Sequence, residues 1–344
     1  MNDKDIAIVK NAAKKNGFRY DPSSPFKKIK ELKSQGVDAY FNFTVKRFSP
    51  DLVPLGSLPR KTLVLCNELG PYLYYKTDRY RFNNPDSAWD YENINILILG
   101  DSYTEGVCLP NNKNFSNKLR ISNPRLINLG KQGNSFQENL GGIIEYATEL
   151  KPKYIIWMHY WNDLGGMMDT KDIEILNKYV NEDFSQNLLL KTNEVEALLQ
   201  KAYQKNTLLG VPFDWKGFLK LAQLRGAFTK IPNVESLPIK NINNVDFEYL
   251  EKIFVKAKKL SRLLKAELHA VSIPASFEIY NGITEESKKF ESIIKKLEIL
   301  FHKIANQFIK VQDLEDLYAY KFDSHLSPVG DSIIAKYIQD EILK

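Results

Sequence analysis

The sequence predicts a three-layer α/β/α fold built around a parallel β-sheet. Two observations support this prediction: short uninterrupted apolar runs bounded by Gly or Pro recur along the chain, and helical segments lie between them. Such runs are typical of strands buried on both faces, and their alternation with helices predicts a doubly wound sheet. The chain has 344 residues, 43% of them hydrophobic. A core of about 200 residues would therefore leave room for additional segments.

Five segments are predicted to be strands of this sheet. They are residues 96–99, 126–130, 154–158 and 268–273, with a weaker fifth at 308–311. The predicted helices span residues 114–121, 137–150, 247–264 and 284–308. The last of these opens with a Thr cap and two glutamates in its first turn, which the N-terminus of a helix favours.

Two further segments flank or interrupt the predicted core of residues 93–344. Residues 1–92 mix predicted helices (6–15, 25–34) with predicted strands (62–66, 72–75), and we expect an N-terminal extension packed on the core. About a hundred residues separate the third strand from the fourth, which is too many for one crossover. We expect a helical insertion at about 165–250, with helices at 192–204 and 215–224, over the carboxyl edge of the sheet.

The composition excludes several classes of protein. The net charge of +6 is thinly spread, and no basic stripe interleaved with aromatic residues stands out, so we expect no nucleic-acid partner. Cys66 and Cys108 lack CxxC spacing and read as two isolated thiols, with Cys108 a small core residue. The four histidines contain no HxxxH pair. We therefore expect no disulfide framework, no metal site and no cofactor.

The first residues are polar and contain no apolar segment of the kind found in signal peptides. The longest apolar stretch, residues 154–161, is far shorter than the ~20 residues that span a bilayer. These features predict a cytoplasmic protein without a membrane span. The sequence does not indicate the oligomeric state.

A serine and a histidine stand in positions suited to nucleophilic catalysis. Ser102, in Gly-Asp-Ser-Tyr-Thr-Glu-Gly directly after the first strand, would lie at the carboxyl edge of the sheet, where open α/β folds bind ligands. His325 precedes a predicted helix with Ser327 as N-cap and Pro328 in its first turn. Acyl transfer needs such a nucleophile and base, together with hydrogen-bond donors for an oxyanion.

Four blocks of the sequence resemble those of the SGNH (GDSL-like) hydrolase superfamily, which has a flavodoxin-like core. The first is 100–106, the second 128–134, the third Tyr-Trp-Asn-Asp at 160–163, and the last Asp-Ser-His at 323–325. The resemblance implies that Ser102 is the nucleophile, His325 its base and Asp323 the orienting carboxylate. It also implies an oxyanion hole formed by the N–H groups of Ser102 and Gly133 and by the side chain of Asn162.

The blocks depart from the usual pattern in two places. Tyr160 replaces the usual glycine, which implies a bulkier pocket wall near Asn162, and Asp323 lies two residues before His325 where three is commoner. The remaining residues of the blocks are assigned supporting or pocket roles: Asp101, which would cap the turn, and Thr104, Asp163, Tyr160 and Trp161. Ahead of the first strand, residues 77–85 resemble a lead-in found in bacterial SGNH proteins, with Arg81 at a usual glycine.

Each of these residues also has a structural interpretation. Ser102 could simply cap a helix, His325 could be a surface histidine, and Asn162 and Asp163 could form a turn. Asp323 could be a solvated carboxylate, and the aromatic residues at 157–161 could be core or could stack on a sugar.

The main hypothesis is a serine esterase that removes an acyl group, most simply acetyl, from a small-molecule or carbohydrate ester. Three alternatives stay open: an O-acyltransferase of surface-polysaccharide synthesis, a lipase or thioesterase, and a non-catalytic carbohydrate-binding module.

Overall fold

The N-terminal part of the chain forms a small sheet of its own. The computed structural model describes residues 17–43, 45–208, 245–319 and 325–344, and positions 7, 10, 11, 13 and 14, which are helical. Helix α1 (Pro25–Ser34) is followed by β1 (Ala39–Phe41), β2 (Thr62–Val64) and β3 (Tyr74–Lys76). Strand β1 pairs with β2 in parallel, and β2 pairs with β3 in antiparallel orientation.

The central sheet has five strands, all parallel. They are β4 (Ile96–Leu99), β5 (Leu126–Asn128), β6 (Tyr154–Tyr160), β7 (Glu267–Ile273) and β8 (Leu300–Lys303), in the spatial order β5-β4-β6-β7-β8. Numbered from β4 as the first core strand, this order is 2-1-3-4-5, which is that of flavodoxin-like folds. The predicted fold class is therefore confirmed.

Helices cover both faces of this sheet. They are α2 (Ser102–Glu105), α3 (Phe115–Ser122), α4 (Phe136–Gly142), α5 (Thr148–Leu150), α6 (Asp163–Thr170), α7 (Glu174–Asn181), α8 (Thr192–Leu208), α9 (Phe247–Leu264), α10 (Ser276–Asn281), α11 (Glu285–Lys296), α12 (Ala305–Phe308) and α13 (Pro328–Tyr337). A π-helical turn (Ile143–Ala147) joins α4 to α5, and another (Ile338–Ile342) follows α13. Three 3₁₀ turns complete the described elements: Asp86–Asp90, Asn111–Lys113 and Leu314–Leu317.

Alternate residues of the strands point into two separate apolar clusters, as the period of a strand requires. Leu97 and Leu99 of β4 pack with Phe136 of α4 and Phe254 of α9 on one face. Ile96 and Ile98 pack on the other face with residues of α3 and α13. The first cluster also takes in buried side chains of the N-terminal extension, from Tyr40 to Phe82. None of the helices described by the structure is both long and apolar enough to cross a membrane.

The predicted fifth strand and the helix before it were placed wrongly. Helix α11 ends at Lys296 rather than at 308, Glu298 adopts a left-handed backbone (φ 51°), and the fifth strand is β8. Phe308 ends the short helix α12 instead of starting a strand. The error arose because β8 is a partly exposed edge strand, with Leu300 51% exposed. Its few apolar residues continued the three-and-four spacing of the helix.

The described part of the predicted insertion packs against the core. Helices α7 and α8 and most of α6 fall within it, whereas residues 209–244, including the predicted helix at 215–224, lie outside the described residues. Glu145 anchors the chain after α7: its carboxylate accepts hydrogen bonds from the Tyr179 hydroxyl (2.7 Å), the Gln186 N–H (2.5 Å) and the Leu188 N–H (2.8 Å).

We expect Glu145→Gln to lower the free energy of unfolding by about 2–3 kcal/mol, because an amide nitrogen would then face a buried donor. Urea unfolding followed by fluorescence measures the change. Glu149→Gln is the matched control, since Glu149 is exposed one turn later, and it should change stability by less than about 0.5 kcal/mol. Equal effects of the two variants would show that the Glu145 carboxylate anchors nothing.

Hydrogen bonds hold the segment before β4 together and join it to helix α2. The buried Asp78 carboxylate accepts hydrogen bonds from the N–H groups of Tyr80 (2.8 Å) and Phe82 (3.0 Å). Asn83 Nδ2 donates to the Glu105 carbonyl at the end of α2 (2.8 Å). Arg81 has a φ of 84°, a left-handed backbone that favours glycine. This conformation explains why the lead-in that the sequence resembles carries a glycine there.

Candidate active site

Ser102 is the first residue of α2, immediately after the carboxyl end of β4. The side chain of Asp101 caps this helix by accepting a hydrogen bond from the Tyr103 N–H at 3.0 Å. A Cβ at Gly130, in the loop after β5, would lie 2.6 Å from the backbone nitrogen of Glu105 and from Cβ of the buried Thr104. The absence of a side chain at this glycine lets the loop pass directly beside the nucleophile helix.

His325 reaches Ser102 from the other end of the chain. Its Nε2 lies 3.0 Å from Ser102 Oγ. The Ser327 hydroxyl caps α13 by accepting hydrogen bonds from Val329 N–H (3.1 Å) and Gly330 N–H (3.3 Å). The His325 carbonyl accepts a bond from Ala319 N–H (2.8 Å). These bonds hold the backbone at His325 and after it, and Nε2 is within hydrogen-bonding reach of the serine hydroxyl.

The carboxylate that faces His325 is Glu68, in the loop between β2 and β3. Both of its carboxylate oxygens lie 3.2 Å from His325 Nδ1, and Oε2 also accepts the His325 N–H at 3.0 Å. A proton on Nδ1, facing this carboxylate, leaves the lone pair of Nε2 for the Ser102 hydroxyl. Asp323, to which the sequence resemblance assigned this role, lies outside the described residues.

The charges around His325 set its protonation. Burial lowers the pKa of the imidazole, but the charge and hydrogen bond of Glu68, with smaller contributions from Asp101 and Glu105, outweigh burial and raise the pKa above its ordinary value. Burial, reinforced by the charge of Asp163, raises the pKa of Asp101 to about 7. Glu68 therefore favours the imidazolium that forms when His325 accepts a proton.

Three residues with hydrogen-bond donors follow the carboxyl ends of three adjacent parallel strands, at the same edge of the sheet. Ser102 follows β4, Gly133 lies in the loop after β5, and Asn162 follows β6. Gly133 has a φ of 83°, a left-handed backbone that favours glycine. Among the described residues, the N–H groups of Ser102 and Gly133 and the side-chain amide of Asn162 have no hydrogen-bond acceptor. Unused donors at adjacent strand ends are what an oxyanion hole requires.

The loop that carries Gly133 is held by the helix α2 and by the N-terminal extension. The buried Glu105 carboxylate accepts bonds from the Tyr75 hydroxyl (2.6 Å) and from Gln132 N–H (2.5 Å). Lys46 donates to the Gly133 carbonyl (2.5 Å) and pairs with Glu138. These contacts hold the N–H of Gln132 and the carbonyl of Gly133, and the Gly133 N–H lies between them in the chain.

Residues at the end of β6 and directly after it fill space near Ser102. The ring of Tyr160, which stands at the usual glycine, is buried and stacks on Tyr103 at 4.0 Å between centroids. The Asp163 carboxylate accepts Tyr160 N–H (3.0 Å), and burial raises the pKa of Asp163 to about 8. Trp161 is half-buried, with its ring 5.2 Å from that of Phe277. Burial lowers the pKa of His159 to about 4, so this neighbouring histidine is neutral.

The two cysteines form a disulfide, contrary to the sequence expectation of isolated thiols. Cys66 and Cys108 are 42 positions apart in the chain, and their Cα atoms are 5.3 Å apart. Spacing rules could not find this pair, because the loop after β2 and the segment after α2 meet only in the folded chain.

Within the described residues, the group with metal-ligating atoms in mutual reach is Cys66, Glu68 and Cys108. Bonded sulfurs have no thiolate to offer a metal, so this group does not fit one.

No protein-family model and no curated protein matches the chain. Solved structures similar to it include a GDSL-like lipase from Bacteroides thetaiotaomicron (12% identity, 75% of this chain and 94% of that chain covered, TM-score 0.40). The esterase EstA from Pseudoalteromonas sp. is 12% identical (73% and 97% covered, TM-score 0.39). The acetyl xylan esterase AlAXEase is 10% identical (72% and 100% covered, TM-score 0.40). At such identities the reaction has to be inferred from the residues of the site.

Proposed function

We propose that the chain is an SGNH-type serine esterase that hydrolyses esters through an acyl-Ser102 intermediate. The observation that carries the proposal is the chain of contacts from Ser102 Oγ to His325 Nε2 (3.0 Å) and from His325 Nδ1 to Glu68 (3.2 Å). A nucleophile, its base and a carboxylate in this sequence of contacts are the parts that acyl transfer by a serine needs.

The geometry supports the following steps. His325 Nε2 removes the proton of Ser102 as Oγ attacks the ester carbonyl, and Glu68 stabilises the resulting imidazolium. The oxyanion of the tetrahedral intermediate accepts hydrogen bonds from the N–H groups of Ser102 and Gly133 and from the Asn162 amide. His325 then gives its proton to the departing alkoxide, and water releases the acyl group by the reverse sequence. Each oxyanion donor contributes about 3–4 kcal/mol to transition-state stabilisation.

The side chains around Ser102 favour a small acyl group on a carbohydrate. Tyr160, stacked on Tyr103, occupies space that the usual glycine would leave open beside Asn162. The half-buried indole of Trp161 follows directly and offers a flat surface on which a sugar ring can stack. Acetyl is a small acyl group that fits such a crowded pocket.

Trapping of the acyl-enzyme tests this function. Rapid acid quench of the protein with p-nitrophenyl acetate should give a covalent adduct of one acetyl group, and peptide mapping should place it on Ser102. Hydrolysis should be fastest for acetyl and should fall for butyryl and octanoyl esters. Ser122→Ala, at an exposed serine at the end of α3, should behave as the wild type.

Two outcomes would count against the proposal. An acetyl adduct on another residue would show that the nucleophile is that residue and not Ser102. A preference for octanoyl esters would favour a lipase or thioesterase. Acetyl transfer to an added saccharide that exceeds release to water would identify the same acyl-enzyme as that of an O-acyltransferase.

A further inference from the structure

We propose, on the basis of the function proposed above, that the Cys66–Cys108 disulfide is a positioning element of the active site. It holds Glu68 against His325, so that reduction of the bond lowers the rate of ester hydrolysis reversibly.

The disulfide, the carboxylate and the imidazole form one cluster. Glu68 is two residues after Cys66, and Cys108 follows the nucleophile helix with a left-handed backbone (φ 66°). Cys108 Sγ lies 3.5 Å from His325 Nδ1, the same nitrogen that both oxygens of Glu68 face at 3.2 Å. The covalent bond therefore ends directly beside the contact that it would maintain.

Apart from the contacts between Glu68 and His325, the hydrogen bonds described for the loop that carries Glu68 join it to residues of the N-terminal extension. Its hydrogen bonds include Leu73 N–H to the Cys66 carbonyl (3.0 Å) and Asn67 Nδ2 to the Asp21 carbonyl (2.8 Å). Leu69 packs in a small cluster with Leu109 of the core. This contact keeps the loop near the core, but it does not direct the carboxylate. The disulfide is the covalent link between the loop and the segment that follows the nucleophile helix.

The energetics favour a tether at this point. The side chains of Glu68 and His325 are only 14% and 15% exposed, so the carboxylate is largely withdrawn from water to meet the imidazole. A freed loop would let the carboxylate recover hydration by turning outward. Reduction would also create a thiol at Cys108, within reach of Nδ1, that competes with Glu68 for the same nitrogen.

The chemical change is a two-electron exchange. A dithiol such as dithiothreitol supplies two electrons and two protons, the Cys66–Cys108 bond becomes two thiols, and the reductant becomes its cyclic disulfide. Oxidised glutathione reverses the change.

The test compares the oxidised and reduced forms of the whole protein in two backgrounds. We expect reduction of the wild type to lower kcat about 10- to 100-fold, with little change in KM, because a displaced catalytic group has such effects. Oxidised glutathione should restore the rate. In Glu68→Gln, reduction should change kcat less than twofold, since the group that the bond positions is already absent. Cys66→Ser/Cys108→Ser should match the reduced wild type.

A second readout does not depend on activity. The pKa of His325, followed by its imidazole proton resonances, should fall on reduction as Glu68 withdraws, while Asp101 and Glu105 continue to act on it. The inference is overturned if alkylation of the unreduced, unfolded protein labels two thiols, if reduction leaves the pKa of His325 unchanged, or if Glu68→Gln loses as much activity on reduction as the wild type. Failure of the proposed function would instead appear as an oxidised wild type that forms no acyl-Ser102.

Discussion

Ser102→Ala is expected to lower kcat for ester hydrolysis by about 10⁴- to 10⁶-fold, because the only atom removed is the nucleophilic Oγ. The fold should tolerate the change: the longer of the two contacts described for this oxygen, that to Asp101, is 3.4 Å, and the other is the bond to His325. We therefore expect the free energy of unfolding to change by less than about 1 kcal/mol. Steady-state hydrolysis of p-nitrophenyl acetate and urea unfolding measure the two quantities.

His325→Ala provides the comparison for this variant. If the two residues act as a unit, the double variant should be no slower than either single variant, because each alone already abolishes proton transfer to and from the serine. If the rate loss of the double variant is instead the product of the two single losses, Ser102 and His325 contribute to catalysis independently. Hydrolysis by Ser102→Ala at the wild-type rate would show that Ser102 is not the nucleophile.

Glu68→Gln is expected to lower kcat by about 10²- to 10⁴-fold. It should also shift the pH profile in a defined direction. The Glu68 charge raises the pKa of His325, and only the neutral imidazole can act as base. The midpoint of the acid limb of kcat/KM should therefore lie at that raised pKa in the wild type and move to lower pH in Glu68→Gln.

Asp323→Asn is the matched variant, because the two carboxylates are the rival candidates for one role. We expect it to change kcat less than about tenfold and to leave the acid limb in place, because His325 Nδ1 already faces both carboxylate oxygens of Glu68. The reverse pattern, a large loss in Asp323→Asn and a small one in Glu68→Gln, would return the role to Asp323. Hydrolysis rates across the pH range separate the two.

The sequence allowed prediction of those features that local pattern determines. The buried strands β4 and β6 were evident as apolar runs, and Ser102 was evident because a turn and glycines surround it. His325 was identified through the resemblance of residues 323–325 to a family block, and a capped helix start follows it. These signals lie within a few residues of the feature that they predict.

The features that were missed depend on contacts between distant parts of the chain. Glu68 is separated from His325 by 257 positions, and its surroundings in the sequence are those of an ordinary turn. The pairing of two cysteines has no spacing signature, because any separation is compatible with a bond. Strand β8 was hidden since an edge strand buries few of its residues, and its alternation is correspondingly weak.

The placement of Glu68 has a consequence for how the protein is made. The proposed nucleophile lies in the first third of the sequence, its base is among the last twenty residues, and Glu68 precedes both in a loop that joins two strands of a separate three-stranded sheet. A nascent chain in which the segment from His325 to α13 has not yet left the ribosome therefore holds the proposed nucleophile and carboxylate without the base. Conversely, a fragment starting at residue 93 would hold the nucleophile and the base without Glu68. We therefore expect full hydrolytic activity only when the three segments that carry Glu68, Ser102 and His325 have folded together.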